Sequence, residues 1–320
     1  MQIKPQNQQP MKSTKTTSPS FKLTRWKTLG ATFSLALMLG GAAHAQLYTT
    51  RVVATGLHRP TGIVAGTDED IYFSEVPSPG VAGAGNAVKK LDLEDSHITT
   101  LHVGEPEPTN LALDRGGNLY WTCKSAGVIL EQDEDGTTTP LLTGLQKPSG
   151  VAIDKRGNVY FTQLPTPGVP GGLNSVAVFD GTATTVLHAG EPEPTDIAAG
   201  QRGEIYWTCK SAGVILEQET DGTTSVLLSG LNKPVGIALN RKGTKLFWTE
   251  VPTPGVAGSS GGQNKVWELN LRTKVKTLVH SGDPEPTDIT VDRDGTLYWT
   301  CSSAGVIVQA KQNRRGRSDD

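Results

Sequence analysis

The chain has 320 residues, with 30 Lys and Arg against 32 Asp and Glu and a formal net charge of −2 at pH 7. That balance supplies neither a global basic excess for nucleic acid nor an acidic solvating tail. With 37 Gly and 20 Pro, short elements joined by turns are favoured over long helices.

Residues 1–45 read as a targeting segment. A polar stretch, "MQIKPQNQQPMKSTKTTSPSF", leads to the basic "KLTRWK" and then the apolar "TLGATFSLALMLGGA". The apolar run ends in Ala43-His44-Ala45, the small-x-small pattern before a signal-peptidase cut, which places the mature start at Gln46. No Cys follows it to carry a lipid. The expectation is export, to the periplasm or the outside, with no stable membrane insertion after cleavage. An uncleaved anchor is the alternative.

From residue 46 onward the sequence repeats. "YWTCKSAGVILEQ" at 120–132 recurs unchanged at 206–218 and as "YWTCSSAGVIVQ" at 298–309. "EVPSPGV" at 75–81 returns as "QLPTPGV" at 163–169 and "EVPTPGV" at 250–256. Each long unit divides in two, because an aromatic pair followed by Ser or Thr occurs six times, beginning at Tyr72, Tyr120, Tyr160, Tyr206, Phe247 and Tyr298. The opening glycines, Gly56, Gly104, Gly144, Gly190, Gly230 and Gly282, lie 40–52 residues apart. About four short β-type runs per period are the mark of a propeller blade. The count predicts an all-β, six-bladed β-propeller over 46–310 with a pseudo-threefold, two-blade repeat.

Closure follows from the ends. "LYTTRVVATGL" at 47–57 matches the fourth-strand stretches "TTTPLLTGL" and "TTSVLLSGL", whereas the last unit stops after three strands. The N-terminal strand is therefore expected to complete the last blade. Residues 311–320 read as a disordered charged tail. Cys123, Cys209 and Cys301 occupy repeat-equivalent positions, which predicts buried wedges rather than a disulfide framework.

The pattern "GL..P.GIA.D..G.LYWT" resembles the YWTD and NHL six-bladed propellers and, more loosely, the SMP-30/gluconolactonase and strictosidine-synthase-like group. Such folds host adhesive modules, receptor ectodomains, lactonases and lyases, so the resemblance specifies fold rather than activity. Where YWTD repeats end in Asp, this chain has Cys in even blades and Glu75, Gln163 and Glu250 in odd ones.

The candidate polar residues fall on three recurring segments. "HVGEPEPTN", "HAGEPEPTD" and "HSGDPEPTD" are connectors between an odd blade and the next even one. They carry His102, His188 and His280 at the outer end and Asn110, Asp196 and Asp288 at the inner end. The histidines are expected to pack at strand ends, too far apart to share a metal. The Asn/Asp/Asp set either caps its own turns or holds an axial Ca²⁺ or Mg²⁺, the ion that the resemblance to the lactonase group implies. Glu107, Glu193 and Glu285, each between two prolines, are candidate ligand contacts. So are Glu75, Gln163 and Glu250, which open the long Gly/Pro-rich loops rimming the connector face.

No GxSxG, HExxH, CxxC or P-loop pattern is present in the sequence. The expected role is a binding or scaffold module that recognises a small molecule, glycan or protein, not nucleic acid, on the channel-mouth face. The alternative is a metal-dependent hydrolase or lyase, with Asn110, Asp196 and Asp288 holding the ion.

Overall fold

A computed structural model of the chain describes residues 47–80, 83, 85–165, 173–252 and 264–313. The expected leader over 1–45, residues 314–320 of the expected tail, and the middles of the three rim loops lie outside the described residues.

The first strand, β1 (Tyr48–Ala54), is set apart from the blade that follows it. Blade 1 is β2 (Pro60–Ala65), β3 (Asp70–Glu75), β4 (Ala87–Asp92) and β5 (Ile98–Val103). Blade 2 is β6 (Pro108–Leu113), β7 (Leu119–Cys123), β8 (Val128–Gln132) and β9 (Thr138–Leu142). Blade 3 is β10 (Pro148–Ile153), β11 (Val159–Gln163), β12 (Ser175–Phe179) and β13 (Thr184–Ala189). Blade 4 is β14 (Pro194–Ala199), β15 (Ile205–Cys209), β16 (Val214–Gln218) and β17 (Thr224–Leu228). Blade 5 is β18 (Pro234–Leu239), β19 (Lys245–Glu250), β20 (Lys265–Asn270) and β21 (Lys276–Ser281). Blade 6 is β22 (Pro286–Val291), β23 (Leu297–Cys301) and β24 (Val306–Gln312), and β1 adds its fourth strand.

Each blade is a four-stranded antiparallel sheet, and the first strands of successive blades touch around a closed ring, β2 meeting both β6 and β22. The predicted closure is present: β1 pairs with β24 from Tyr48 opposite Gln312 to Ala54 opposite Ile307. β24 therefore runs to Gln312, two residues past the expected end of the propeller, because β1 offers Lys311 and Gln312 a strand to pair with. The Tyr48 hydroxyl, carried by the closing strand, donates to the Glu268 carboxylate of blade 5.

The aromatic pairs explain the stacking of blades. β7, β15 and β23 are buried at every position, and Trp121, Trp207, Trp248 and Trp299 are fully enclosed. Trp207 and Cys209 of blade 4 pack with Tyr160 and Val176 of blade 3, so the core is a set of inter-blade layers rather than one central mass. Each buried indole removes about 200 Å² from water, worth up to about 5 kcal/mol.

The Ser or Thr after each aromatic pair has a separate task. First and second strands lose register near the start of each blade, leaving inner-strand amides without a ladder partner. The hydroxyl accepts these, as in Gly62 N–H to Ser74 Oγ (2.9 Å) and Gly150 N–H to Thr162 Oγ1 (2.8 Å). In even blades it also donates onward, Thr122 to Ser149 O (2.8 Å), Thr208 to Val235 O (2.7 Å) and Thr300 to Thr61 O (2.7 Å). One small side chain thus joins its own blade to the next.

Adjacent inner strands approach so closely that odd blades need glycine. A Cβ on Gly150 would lie 2.7 Å from Asp196 Cα, and one on Gly236 would lie 2.6 Å from Asp288 Cα. Both obstacles are backbone, which cannot swing aside. Gly150→Ala is expected to cost about 2–3 kcal/mol, read as a lower urea midpoint; a midpoint equal to that of the wild type would refute this account of the axis.

Candidate functional site

The ends of the connectors converge on the channel, and the first group there is the predicted Asn/Asp/Asp set. Asn110, Asp196 and Asp288 sit at the third position of β6, β14 and β22 and are all buried. Each reaches into the next odd blade. Asn110 Oδ1 accepts from Val151 N (2.8 Å), Asp196 Oδ2 from Ile237 N (2.8 Å) and Asp288 Oδ2 from Ile63 N (2.8 Å). The other oxygens, Asp196 Oδ1 and Asp288 Oδ1, accept the amides of Ile197 and Ile289, both at 2.8 Å. Asn110 Nδ2 then donates to Asp288 Oδ2 at 3.0 Å.

These contacts make the three side chains fasteners between blades, and they also create an electrostatic problem. Asp196 and Asp288 are both buried and close enough for each to act on the other's charge. Burial raises Asp196 to about 7 against the pull of the two amides. Burial, and next the Asp196 charge, hold Asp288 well above the ordinary carboxylate range. Two buried carboxylates so placed favour holding a proton between them over ionising together. Hard oxygens with excess negative charge match Ca²⁺ or Mg²⁺ in kind. In arrangement, every oxygen of the set already accepts an N–H, and Asp288 Oδ2 accepts two. A cation would have to use the remaining lone pairs and displace the proton. Among the described residues, no cluster of three or more His, Cys, Asp and Glu side chains has a metal-holding arrangement.

The residues just outside the axis form a second ring, only half of which the sequence reading identified. The residue before the proline that opens each first strand has positive φ in all six blades: Arg59, Glu107, Lys147, Glu193, Lys233 and Glu285, at 49–61°. Left-handed backbone is costly for side chains of this kind. It is held in every blade by a carbonyl that accepts the first amide after the second strand, at 3.0–3.1 Å, as in Lys124 N–H to Glu107 O and Ser302 N–H to Glu285 O. The signs of charge alternate around the ring. Arg59, Lys147 and Lys233 are exposed, whereas Glu107 and Glu285 are buried and Glu193 nearly so. The clue in the sequence was the residue before each connector proline, read across all six copies instead of three.

The third acid of the ring differs from the second. Lys210 Nζ lies 3.7 Å from Glu193 Oε1, and Lys124 holds the equivalent sequence position beside Glu107. In the third copy that position is Ser302, itself buried. Among the described residues, Glu285 Oε2 is buried without a hydrogen-bond partner, as is the Ser303 hydroxyl next along the same turn.

The remaining candidates are occupied by internal contacts. Glu75 is buried, paired with Lys89 Nζ at 2.7 Å and accepting His58 N–H at 3.1 Å. Gln163 Oε1 accepts Gln146 N–H at 2.7 Å, and its amide donates to Ser175 Oγ at 3.2 Å. Glu250 Oε1 accepts the indole N–H of Trp248 at 3.2 Å, with Lys276 Nζ 3.9 Å away.

In even blades Cys takes the strand position of these residues, and the first acid of the connector supplies the carboxylate instead. Glu105 Oε2 accepts from Trp121 Nε1 (3.2 Å) and Cys123 Sγ (3.5 Å), and Glu191 Oε2 from Trp207 Nε1 (3.1 Å) and Cys209 Sγ (3.4 Å). Asp283 Oδ2 accepts from Trp299 Nε1 at 2.8 Å. His102, His188 and His280 pack on Trp121, Trp207 and Trp299 across the blade boundary, with ring centroids 4.8, 4.7 and 6.0 Å apart. His280 is raised by its bond to Asp283, against the effect of burial. All three thiols are free, buried and pushed far up by burial and the adjacent carboxylate, so none is a thiolate nucleophile.

A group whose folded-state pKa is raised favours the folded chain when protonated. Between about pH 4, where an ordinary aspartate titrates, and about 7 for Asp196, the folded chain therefore binds more protons and stability falls as pH rises. Asp196→Asn, which can adopt the geometry that Asn110 already shows, is expected to flatten that fall in urea titrations across the window. Equal slopes in variant and wild type would count against the shared proton.

By sequence, no protein-family profile and no curated protein matches the chain. Among solved structures, a gluconolactonase from Xanthomonas campestris is 16% identical, with TM-score 0.66 over 85% of this chain and 93% of that one. A streptogramin B lyase is 19% identical, with TM-score 0.57 over 83% and 98%. The nidogen/laminin complex matches at 18% identity and TM-score 0.55 over 69% and 80%. At these identities the likeness is one of fold, and the chain is a six-bladed β-propeller similar to gluconolactonase, lyase and nidogen-type structures.

Proposed function

We propose that this protein is a binding module whose connector face recognises a small molecule, glycan or protein segment through a positively charged group. The observation that carries this reading is the break in threefold symmetry at Glu285. Two repeats carry a lysine at the position that follows the second strand, and one of these, Lys210, lies 3.7 Å from its connector glutamate. The third repeat keeps the glutamate and has Ser302 there instead. A buried carboxylate oxygen without a partner costs stability. A ligand ammonium or guanidinium would supply the missing charge-assisted hydrogen bond. Exposed Arg59, Lys147 and Lys233 around the same ring would meet the anionic or polar parts of such a ligand. Export is part of the proposal, supported by the apolar run ending in Ala43-His44-Ala45.

A second reading is favoured by the raised Asp196–Asp288 pair: a metal-dependent hydrolase or lyase in which Ca²⁺ or Mg²⁺ replaces the shared proton. Its support is the excess of buried carboxylate at the axis, and the gluconolactonase and lyase neighbours are consistent with it. A divalent ion held there would polarise a bound carbonyl, and the chain's own contribution would be the Asn110, Asp196 and Asp288 oxygens that fix it.

Two experiments separate the readings. In a thermal-shift screen of amine-bearing small molecules, amino sugars and Lys/Arg peptides, hits are expected to stabilise the wild type but neither Glu285→Gln nor Ser302→Lys. Ser302→Lys alone should raise Tm by about 2–4 °C by supplying an ion pair like that of Glu193 and Lys210. Hits that ignore both substitutions would overturn the first reading. Adding Ca²⁺ above pH 7 should leave Tm unchanged under the first reading. Under the second it should raise Tm, and Asp288→Asn should abolish the rise.

A further inference from the structure

The pole opposite the connector face carries a feature that neither reading uses. There the turns between first and second strands surround the other end of the channel. In four of them an Asx residue folds back to cap its own turn: Asp154, followed by the exposed Lys155, whose Oδ1 accepts Asn158 N–H at 3.0 Å, and three that are followed by arginine. Asp114 Oδ1 accepts Asn118 N–H (2.9 Å), Asn240 Oδ1 accepts Thr244 N–H (2.8 Å) and Asp292 Oδ1 accepts Thr296 N–H (2.8 Å). The next residue in each of these three turns is Arg115, Arg241 or Arg293, and all three are exposed. The same local chemistry thus ties down the Asx side chains and leaves the guanidiniums beside them exposed.

Two cavities open at this pole, of about 530 and 650 Å³, and both are lined by Arg241, Asp292 and Arg293. The first has a floor of Leu113, Leu239 and Val291, the ends of three inner strands, with Tyr72 at its side. The second adds Lys242, Lys245 and Lys311. Only Lys245 of these is neutralised, by Glu268 at 2.9 Å. Among the described residues, the guanidiniums of Arg241 and Arg293 make no hydrogen bond and no ion pair, and Arg115 reaches only Gln201 Oε1 at 3.5 Å. Gln201 in turn donates to the Arg241 carbonyl at 2.6 Å, which ties two of the arginine turns together.

Asp114 and Asp292 line the first cavity and Asp292 and Asp294 the second, so cations outnumber carboxylates at both, by three to two and by five to two, although the whole chain carries a net charge of −2. Guanidinium is suited to bidentate contact with planar or tetrahedral oxyanions, and an apolar floor suits a hydrocarbon body. We infer that this pole binds a small organic oxyanion, a carboxylate or phosphate ester, with its charged group held by Arg241 and Arg293 and its apolar part on Leu113, Leu239 and Val291. The site is separate from the connector face and stands whether or not that face binds a cation.

The test uses the full chain at constant ionic strength with phenyl phosphate, benzoate and inorganic phosphate as probes. An aromatic oxyanion is expected to raise Tm by about 2–4 °C at about ten-fold excess over Kd. It should bind at least about fivefold more tightly than inorganic phosphate, because only it covers the apolar floor. The ranking of phenyl phosphate against benzoate identifies the oxyanion. Arg241→Gln with Arg293→Gln should weaken binding at least about tenfold, whereas Arg272→Gln, an exposed cation in a different turn, should leave it unchanged. Undiminished affinity in the double variant would overturn the proposal. So would response to a duplex DNA oligonucleotide with none to the small anions, since a charged surface rather than a site would then be at work.

Discussion

The innermost strand of every blade is a sheet edge turned to the channel and largely buried. Its amides have no ladder partner on the channel side, and a buried N–H left unmet costs as much as a lost hydrogen bond. Six strands meeting at one axis multiply that debt, and the propeller settles it with side chains. Ser and Thr hydroxyls take the amides at the start of each inner strand. Asn110, Asp196 and Asp288 take those of Val151, Ile237 and Ile63 across blade boundaries. Glycine occupies the facing position because the backbones come too close for a Cβ.

This solution has consequences beyond stability. Using aspartate twice, where asparagine serves once, buries two carboxylates near each other and raises both above the ordinary carboxylate range. The axis is therefore where the need for structural acceptors and the capacity for chemistry coincide. The connector that delivers each inner strand pays its own cost in left-handed backbone, and its side chain lands on a ring around the mouth. That ring alternates in charge, and its symmetry is broken at one place, by Ser302.

The two poles are built on opposite rules. On the connector face the acids are buried and the cations exposed, with each glutamate fixed by its carbonyl contact. At the far pole, Asx side chains cap the turns, and among the described residues Arg241 and Arg293 beside them make no side-chain hydrogen bond or ion pair, while Arg115 reaches only Gln201. Both arrangements follow from which end of a strand a turn joins, because the hydrogen bonds a turn must satisfy decide which of its side chains remain available.

The sequence by itself determined the architecture. Six aromatic pairs, six opening glycines and an orphan fourth strand at the N-terminus leave one ring to build, since period-two burial and blade stacking are local and repetitive. It also placed Asn110, Asp196 and Asp288 at the inner end of their connectors and the histidines at the outer end. What only the tertiary structure decided was which polar atoms remain free. Glu75, Gln163, Glu250, Glu105 and Glu191 look like candidate ligands in a string of letters, but each finds an amide, indole, thiol or lysine brought near by folding. Glu285, Arg241 and Arg293 look no different from their repeat copies or neighbours, yet among the described residues Glu285 Oε2 and the two guanidiniums lack partners. Whether a polar group is satisfied depends on contacts between residues tens to hundreds of positions apart, and those distances exist only once the ring has closed.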